Sequence, residues 1–190
     1  MVGLLISLNR YLRAVQSRLR RWFYLMQGYQ LDKMSALGKV TIVGPGRVVI
    51  GPRTTIEDYV VVKSLGDSSQ SGLHVGKHCF IGSHTVINCC LSVKIHDNVM
   101  IAAGCQIVDT DHGFREQGLI FEQKTRSEEI VIEEGAWIAG NSTILRGVRI
   151  GSGSVIGAGS VVTKSVPDFQ VWAGVPAKFL CHRFAQSPLK

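Results

Sequence analysis

From Ile132 an aliphatic residue returns at every sixth position: Ile132, Ile138, Ile144, Ile150, Ile156 and Val162, without a slip. The same step recurs earlier in shorter runs, through Ile50, Ile56 and Val62, through Val75, Ile81, Ile87 and Val93, and through Ile95, Ile101 and Ile107. A period of six suits neither a helix, at ~3.6, nor a plain strand, at ~2. It suits a coil whose short strands turn a corner every six residues, each anchor pointing into a shared core. A second column supports this. Four residues past the anchors stand Thr54, Val60, Cys79, Thr85, Val99, Cys105, Ala136, Ser142, Val148, Ser154 and Ser160, all small or β-branched, and only Leu91 breaks the rule. Gly51, Gly76, Gly82, Gly151 and Gly157 follow their anchors directly, where a corner leaves little room for a side chain. Stacked coils of this kind form a solenoid with one continuous core. A sandwich of short strands would not hold a fixed step through so long a run.

The breaks in the step are as informative as the step. Val62 to Val75 is thirteen, with the Ser- and Gly-rich segment Ser64–Gly72 between them, which reads as a corner loop. Ile87 to Ile95 is eight, an insertion of two near Leu91–Lys94. Ile107 to Ile132 is twenty-five, and Asp109–Glu129 is polar and without repeat character. A loop that long in a compact fold is usually functional.

Charge is distributed unevenly. The net charge is +7, yet residues 1–34 hold six cations (Arg10, Arg13, Arg18, Arg20, Arg21, Lys33) against Asp32 alone. That is a surplus of five, which leaves two for the remaining chain. A basic arm on a near-neutral body points to a membrane surface or a partner protein rather than to nucleic acid. Within the arm Leu4, Leu5, Leu8, Leu12, Val15, Leu19, Trp22, Phe23 and Met26 fall at helical spacing. Such a helix either lies on an anionic membrane or packs its apolar stripe on the first coil or a neighbouring subunit. The stretch Val2–Leu8 is short and has no basic segment before it, unlike a secretory leader. Five cysteines without framework spacing suit a reducing, cytoplasmic setting.

The double signature of anchors and small residues resembles the hexapeptide-repeat acetyltransferases over roughly residues 39–180. That resemblance implies an all-β fold: a left-handed parallel β-helix over 35–165, an amphipathic helical arm over 1–34, a loop excursion over 109–129 and a short extension over 166–190. It also implies acetyl-CoA as co-substrate, no metal, and a homotrimer with active sites between subunits. The run Ile107-Val-Asp-Thr-Asp-His-Gly-Phe114 is similar to the branch that O-acetylates saccharides, galactosides and surface polysaccharides among them.

A hydroxyl attacks a thioester slowly unless a base removes its proton, and histidine, with an ordinary pKa of ~6.5, suits that task near neutrality. His112 is the candidate base. Asp109 and Asp111 are both candidates to orient the imidazole or bind sugar hydroxyls, and His84 is a candidate second substrate contact. The closing stretches Val162-Thr-Lys164, Val166-Pro-Asp168 and Ala173-Gly-Val-Pro-Ala-Lys178 resemble those of acetyl-CoA users. By that resemblance Thr163 and Lys164 approach the adenine end and Lys178 the phosphates, where a lysine serves as a flexible point charge. Backbone at Gly140 and Ala158 faces the pantetheine, and Trp137 stands near the thioester.

Other chemistries on this scaffold are less well matched. A γ-type carbonic anhydrase pairs histidines five residues apart, but His84 is followed at that distance by Cys89. An amine acceptor or a non-catalytic scaffold remains open.

Overall fold

The computed structural model describes residues 2–66 and 71–184, and side chains from residue 11 onward together with that of Leu8. The stripe residues Leu4 and Leu5, the middle of the 64–72 corner loop and the end of the C-terminal extension lie outside the described residues.

The chain winds into a triangular prism with three parallel sheets. The first face collects strands at 30–31, 47–50, 72–75, 92–95, 130–132 and 149–150. The second collects 36–37, 55–56, 80–81, 100–101, 137–138, 155–156 and a closing hairpin, Gln170–Gly174 with Ala177–His182. The third collects 41–43, 61–64, 86–89, 106–108, 143–145 and 161–162. The architecture is the left-handed parallel β-helix. Its first coil already takes in residues 30–34, because Gln30 and Leu31 pair with Val49 and Ile50. Its last rung extends past 165, because Val171 pairs with Val155.

Register accounts for the period. Ile50, Val75, Ile95, Ile132 and Ile150 stack as hydrogen-bonded neighbours on the first face. Ile56, Ile81, Ile101, Ile138 and Ile156 do so on the second, and Val62, Ile87, Ile107, Ile144 and Val162 on the third. All are buried. Val93 is not part of the first-face column; it stacks on Leu73 and Ile130 one position inside Ile95, so the six-step from Ile87 ends there.

The small second column is buried throughout, and its hydroxyls are satisfied across coils. Thr54 Oγ1 donates to Gly76 O at 2.7 Å, and Ser142 Oγ donates to Gly157 O at 3.0 Å. A buried hydroxyl left without such a partner would cost about 1–3 kcal/mol. The glycine after each anchor is required by close approach: a Cβ on Gly82 would lie 2.5 Å from Ala103 N in the next coil. Left-handed backbone falls two positions later instead, at Arg53, Tyr59, His78, His84, Asn98 and Asn141 and at several glycines.

Helix α1, Val2–Met26, crosses the first coil. A terminal rung presents unpaired backbone groups, which need partners. The polar stripe of α1 supplies them. Ser17 Oγ accepts from Leu37 N at 2.8 Å, Arg20 donates to Leu37 O at 3.2 Å, and Arg21 donates to Lys33 O. The buried Tyr24 hydroxyl donates to Val40 O at 2.8 Å and accepts from Ile42 N at 3.2 Å. The expectation that an apolar stripe packs on the first coil is therefore corrected: the polar stripe packs there. Among the described residues no helix is long and apolar enough to cross a membrane.

Ile81 sits mid-column, so Ile81→Ala opens a cavity that the rigid rungs above and below cannot close. Its urea midpoint should drop by the equivalent of about 2–5 kcal/mol. An unchanged midpoint would contradict the stacked-column account.

Candidate active site

The longest and the shortest of the three breaks in the repeat form one construction. Asp109 follows the third-face strand Gln106–Val108 and is fully buried. Its carboxylate accepts three backbone N–H groups, from Cys90 at 2.8 Å, Leu91 at 2.7 Å and Ser92 at 2.9 Å. Those donors are Cys90 and Leu91 at the corner where two residues are inserted between Ile87 and Ile95, and Ser92, which opens the strand after it. A nest of amides around a carboxylate stabilises the charged form without a cation. Asp109 thus anchors the root of the excursion, and both its oxygens are committed there.

Beyond this root the chain forms a short antiparallel ribbon. Thr110 pairs with Ser127 and Asp111 with Arg126, and Ser127 Oγ donates to Thr110 Oγ1 at 3.0 Å. Glu128 N donates to Asp109 O at 2.9 Å, and Gly113 N to Lys124 O at 3.1 Å. The side-chain amide of Gln123, buried inside the hairpin, donates to Glu116 O at 2.9 Å and accepts from Glu116 N at 3.2 Å. Arg146, from the coil below, donates to Asp111 Oδ2 at 3.0 Å and also pairs with Glu128. Glu129 accepts from Ser92 Oγ at 2.8 Å and meets Lys94 Nζ at 2.6 Å. The Lys94 hydrogen bond is the main reason the Glu129 carboxyl lies below its ordinary pKa. Since the folded value is the lower one, this contribution is complete above the ordinary carboxylate range and is lost as pH falls through the depressed value. Both partners are half-exposed, so solvent screens the pair and its effect is small.

This bracing presents His112. The imidazole is exposed at the rim of a concavity of about 340 Å³ shared with Asp111, Arg115, Gln123, Lys124 and Arg146. It makes no hydrogen bond or ion pair to any described residue. Asp111 is the exposed carboxylate of the motif, and its recorded partner is Arg146. Arg146 was not singled out from the sequence; it lies 35 positions from Asp111, and no local spacing links them. Phe114, Leu119, Ile120 and Phe121 at the hairpin tip are exposed, Phe121 at 89%.

His84 lies elsewhere. It occupies a left-handed corner (φ 61°), stacks on Tyr59 at 5.1 Å between centroids, and lines a separate groove beneath α1.

Of the residues expected to meet the coenzyme, Gly140, Ala158 and Lys178 lie along another edge, while Thr163 and Lys164 stand at the third-to-first corner from which the hairpin leaves. Gly140 and Ala158 each stand two past a second-face anchor, so they occupy one corner on successive coils, and Gly159 N donates to Gly140 O at 2.9 Å. The closing hairpin adds a further layer: Gly157 N donates to Trp172 O at 2.8 Å, and a Cβ on Gly157 would lie 2.7 Å from that of Ala173. Lys178 pairs directly across from Ala173 and is exposed. Thr163 and Lys164, also exposed, follow the last third-face strand. Trp137 is 46% exposed on the outer second face beside Met100. This edge lies between the second and third faces, whereas the His112 hairpin leaves between the third and first.

The cysteines do not suit nucleophilic work. Cys79 donates to His96 O at 3.0 Å and Cys105 to Ala139 O at 3.3 Å, and burial pushes both thiols up. Burial, with the nearby Asp109 charge, raises Cys89 to about 12. Among the described residues no group of three or more His, Cys, Asp or Glu side chains is placed to hold a metal ion.

Comparison with known proteins agrees with this geometry. Residues 129–164 match the bacterial transferase hexapeptide (six repeats), and residues 72–108 match the hexapeptide repeat of succinyl-transferase. These two stretches carry the repeat of the hexapeptide transferases. It is 31% identical over 166 residues to a probable acetyltransferase of Mycobacterium tuberculosis, covering 86% of this chain and 51% of that protein. It is 36% identical over 110 residues to the galactoside O-acetyltransferase of Escherichia coli, covering 58% and 54%. The chain thus spans about half the length of these curated relatives. Among solved structures, the N-acyltransferase AntD of Bacillus cereus, in complex with dTDP and 3-hydroxybutyryl-CoA, superposes with a TM-score of 0.73 at 19% identity, covering 86% of this chain and 88% of that one. A hexapeptide-repeat acetyltransferase of Vibrio cholerae, complexed with acetyl-coenzyme A, gives 0.54 at 27%, covering 78% and 70%.

The separation of roles can be tested by stability. Asp109→Ala strands three amide donors and should cost about 2–5 kcal/mol in urea unfolding. His112→Ala removes an unbonded, exposed side chain and should leave the midpoint unchanged within about 0.5 kcal/mol. Equal costs would contradict the division into a buried anchor and a presented side chain.

Proposed function

We propose that this protein is an acetyl-CoA-dependent O-acetyltransferase that acts on a saccharide hydroxyl in surface-polysaccharide biosynthesis, with His112 as general base. The observation that carries the reading is a rigidly rooted hairpin holding an unbonded imidazole at the rim of a polar concavity. The sequence similarity to a galactoside O-acetyltransferase favours a hydroxyl acceptor.

In this reading the acceptor oxygen attacks the acetyl carbonyl while an imidazole nitrogen takes its proton. The tetrahedral oxyanion is met by backbone N–H groups, the donors best suited to a preorganised site. The carbon–sulfur bond then breaks, and the imidazolium returns the proton to the departing thiolate, so coenzyme A leaves as a thiol. Asp111 and Arg146 give the concavity a carboxylate acceptor and a guanidinium donor for sugar hydroxyls. Gly140, Ala158 and Ala173 leave an edge low enough for a pantetheine chain. Trp137 flanks the thioester, and Lys178, Thr163 and Lys164 meet the phosphate and adenine end.

One chain carries the base and the coenzyme edge on different corners of its prism. A complete site joins the hairpin of one subunit to the edge of the next, which supports a homotrimer. The exposed apolar tip, Phe121 foremost, then lies against the neighbouring subunit.

His112→Ala should lower acetyl-CoA-dependent CoA release by at least ~10²-fold while the protein still folds. Saturating acetyl-CoA should raise the Tm of both wild type and variant through preferential binding to the folded state. Wild-type turnover in the variant would overturn the base. An absent Tm shift would overturn the donor. Mass analysis of the product tells an ester from an amide, because the same base serves an amine acceptor.

A further inference from the structure

The outer surface of α1 is the opposite of what a helix packed on a soluble body normally shows. The residues that bond the first coil, Ser17, Arg20, Arg21 and Tyr24, lie at i, i+3, i+4 and i+7 and form one stripe. A second stripe at the same spacing, turned half a circle away, holds Leu8, Tyr11, Leu12, Val15, Leu19, Trp22 and Met26. All but Val15 are exposed, Trp22 at 63% and Met26 at 71%. Burying this stripe would ordinarily drive the packing of such a helix. Here the coil takes the polar side, and six exposed apolar side chains are left facing outward.

Charge indicates what covers them. Helix α1 carries Arg10, Arg13, Arg18, Arg20 and Arg21 and no acidic residue; the first acid in the chain is Asp32. Arg18 borders the apolar stripe, whereas Arg20 and Arg21 are bonded to the first coil and Arg13 lies on that same side. Tyr11 and Trp22 combine an apolar ring with a polar tip, the side chains favoured at a membrane–water boundary. A second copy of this chain is a poor match for these arginines. Asp97, Asp111, Glu128, Glu129, Glu133 and Asp168 are engaged in ion pairs, Asp109 is caged, Asp32, Glu57, Asp58 and Glu134 accept hydrogen bonds, and among the described residues the carboxylates without a side-chain partner are Glu116 and Glu122, both on the hairpin. Phosphate head groups above an acyl layer offer both the anions and the apolar bed.

We propose that α1 seats the protein on an anionic lipid surface, its Leu8–Met26 apolar stripe entering the acyl boundary while the β-helix stands off it on hydrogen bonds to the opposite stripe. The proposal is independent of the transfer reaction, because none of these residues belongs to the hairpin or the coenzyme edge.

The test is co-sedimentation of the full chain with phosphatidylcholine vesicles, with and without phosphatidylglycerol. The wild type should bind the anionic vesicles and lose binding as salt rises. Leu19→Glu combined with Trp22→Glu should lower vesicle binding by more than about tenfold, with unchanged melting and unchanged mass by light scattering. Trp22→Phe, which keeps the stripe apolar, should bind like wild type but lose most of the blue shift in tryptophan emission on vesicles. The proposal is overturned if neither vesicle binds, if both bind equally, or if the double variant binds like wild type. It is also overturned if the double variant changes the oligomeric mass, because a second copy then covers the stripe.

Discussion

Every coil of this molecule is held by stacking of like on like: an isoleucine or valine on the one beneath, with backbone hydrogen bonds tying the same two residues. Because each rung is hydrogen-bonded to the next, no residue can be added inside a face without misaligning all three columns. Extra residues must leave at a corner. The thirteen-, eight- and twenty-five-residue steps are such departures, and the faces between them keep register. The rigid prism is thus also the rule for where a functional excursion can grow.

What makes the largest excursion usable is a single buried carboxylate. An insertion of two residues leaves three amides to be bonded at and just past a corner, and a hairpin that starts one coil later needs a fixed root. Asp109 answers both needs with charge-assisted hydrogen bonds in a dry setting, where an unpaired amide or carboxylate would be costly. Arg146 and the Gln123 amide then stiffen what lies above. Among the described residues His112 has no bonding partner; its position comes from the backbone that carries it.

The prism was legible in the sequence because burial is periodic: each sixth residue contributes the same apolar surface, and the small column fits the same narrow interior. Glycine at Gly51, Gly76 and Gly82 was legible as a corner marker, though its cause is the next coil's backbone rather than a left-handed dihedral. Asparagine or glycine marks the left-handed corners at Asn98, Asn141, Gly135 and Gly153, but in the earlier coils Arg53, Tyr59, His78 and His84 occupy them and give no signal. The motif pointed to the His112 loop, but the roles of its aspartates did not follow from spacing. Asp109 and Asp111 are two residues apart and chemically alike, and only the insertion near Leu91 decides which is buried. The polarity of α1 was hidden for a similar reason. A hydrophobic stripe is visible in the sequence, whereas the hydrogen-bonding demand of an open β-rung belongs to the residues it packs on.

All of this converges on one arrangement: a prism that holds an imidazole on a braced hairpin, facing a coenzyme laid along a bare edge. A crystal structure with coenzyme A bound tests it most directly. The account predicts the pantetheine along Gly140, Ala158 and Ala173 of one subunit, its sulfur within about 4 Å of a His112 imidazole, close to reacting distance. A coenzyme bound on another face, or a sulfur remote from every His112, would contradict it.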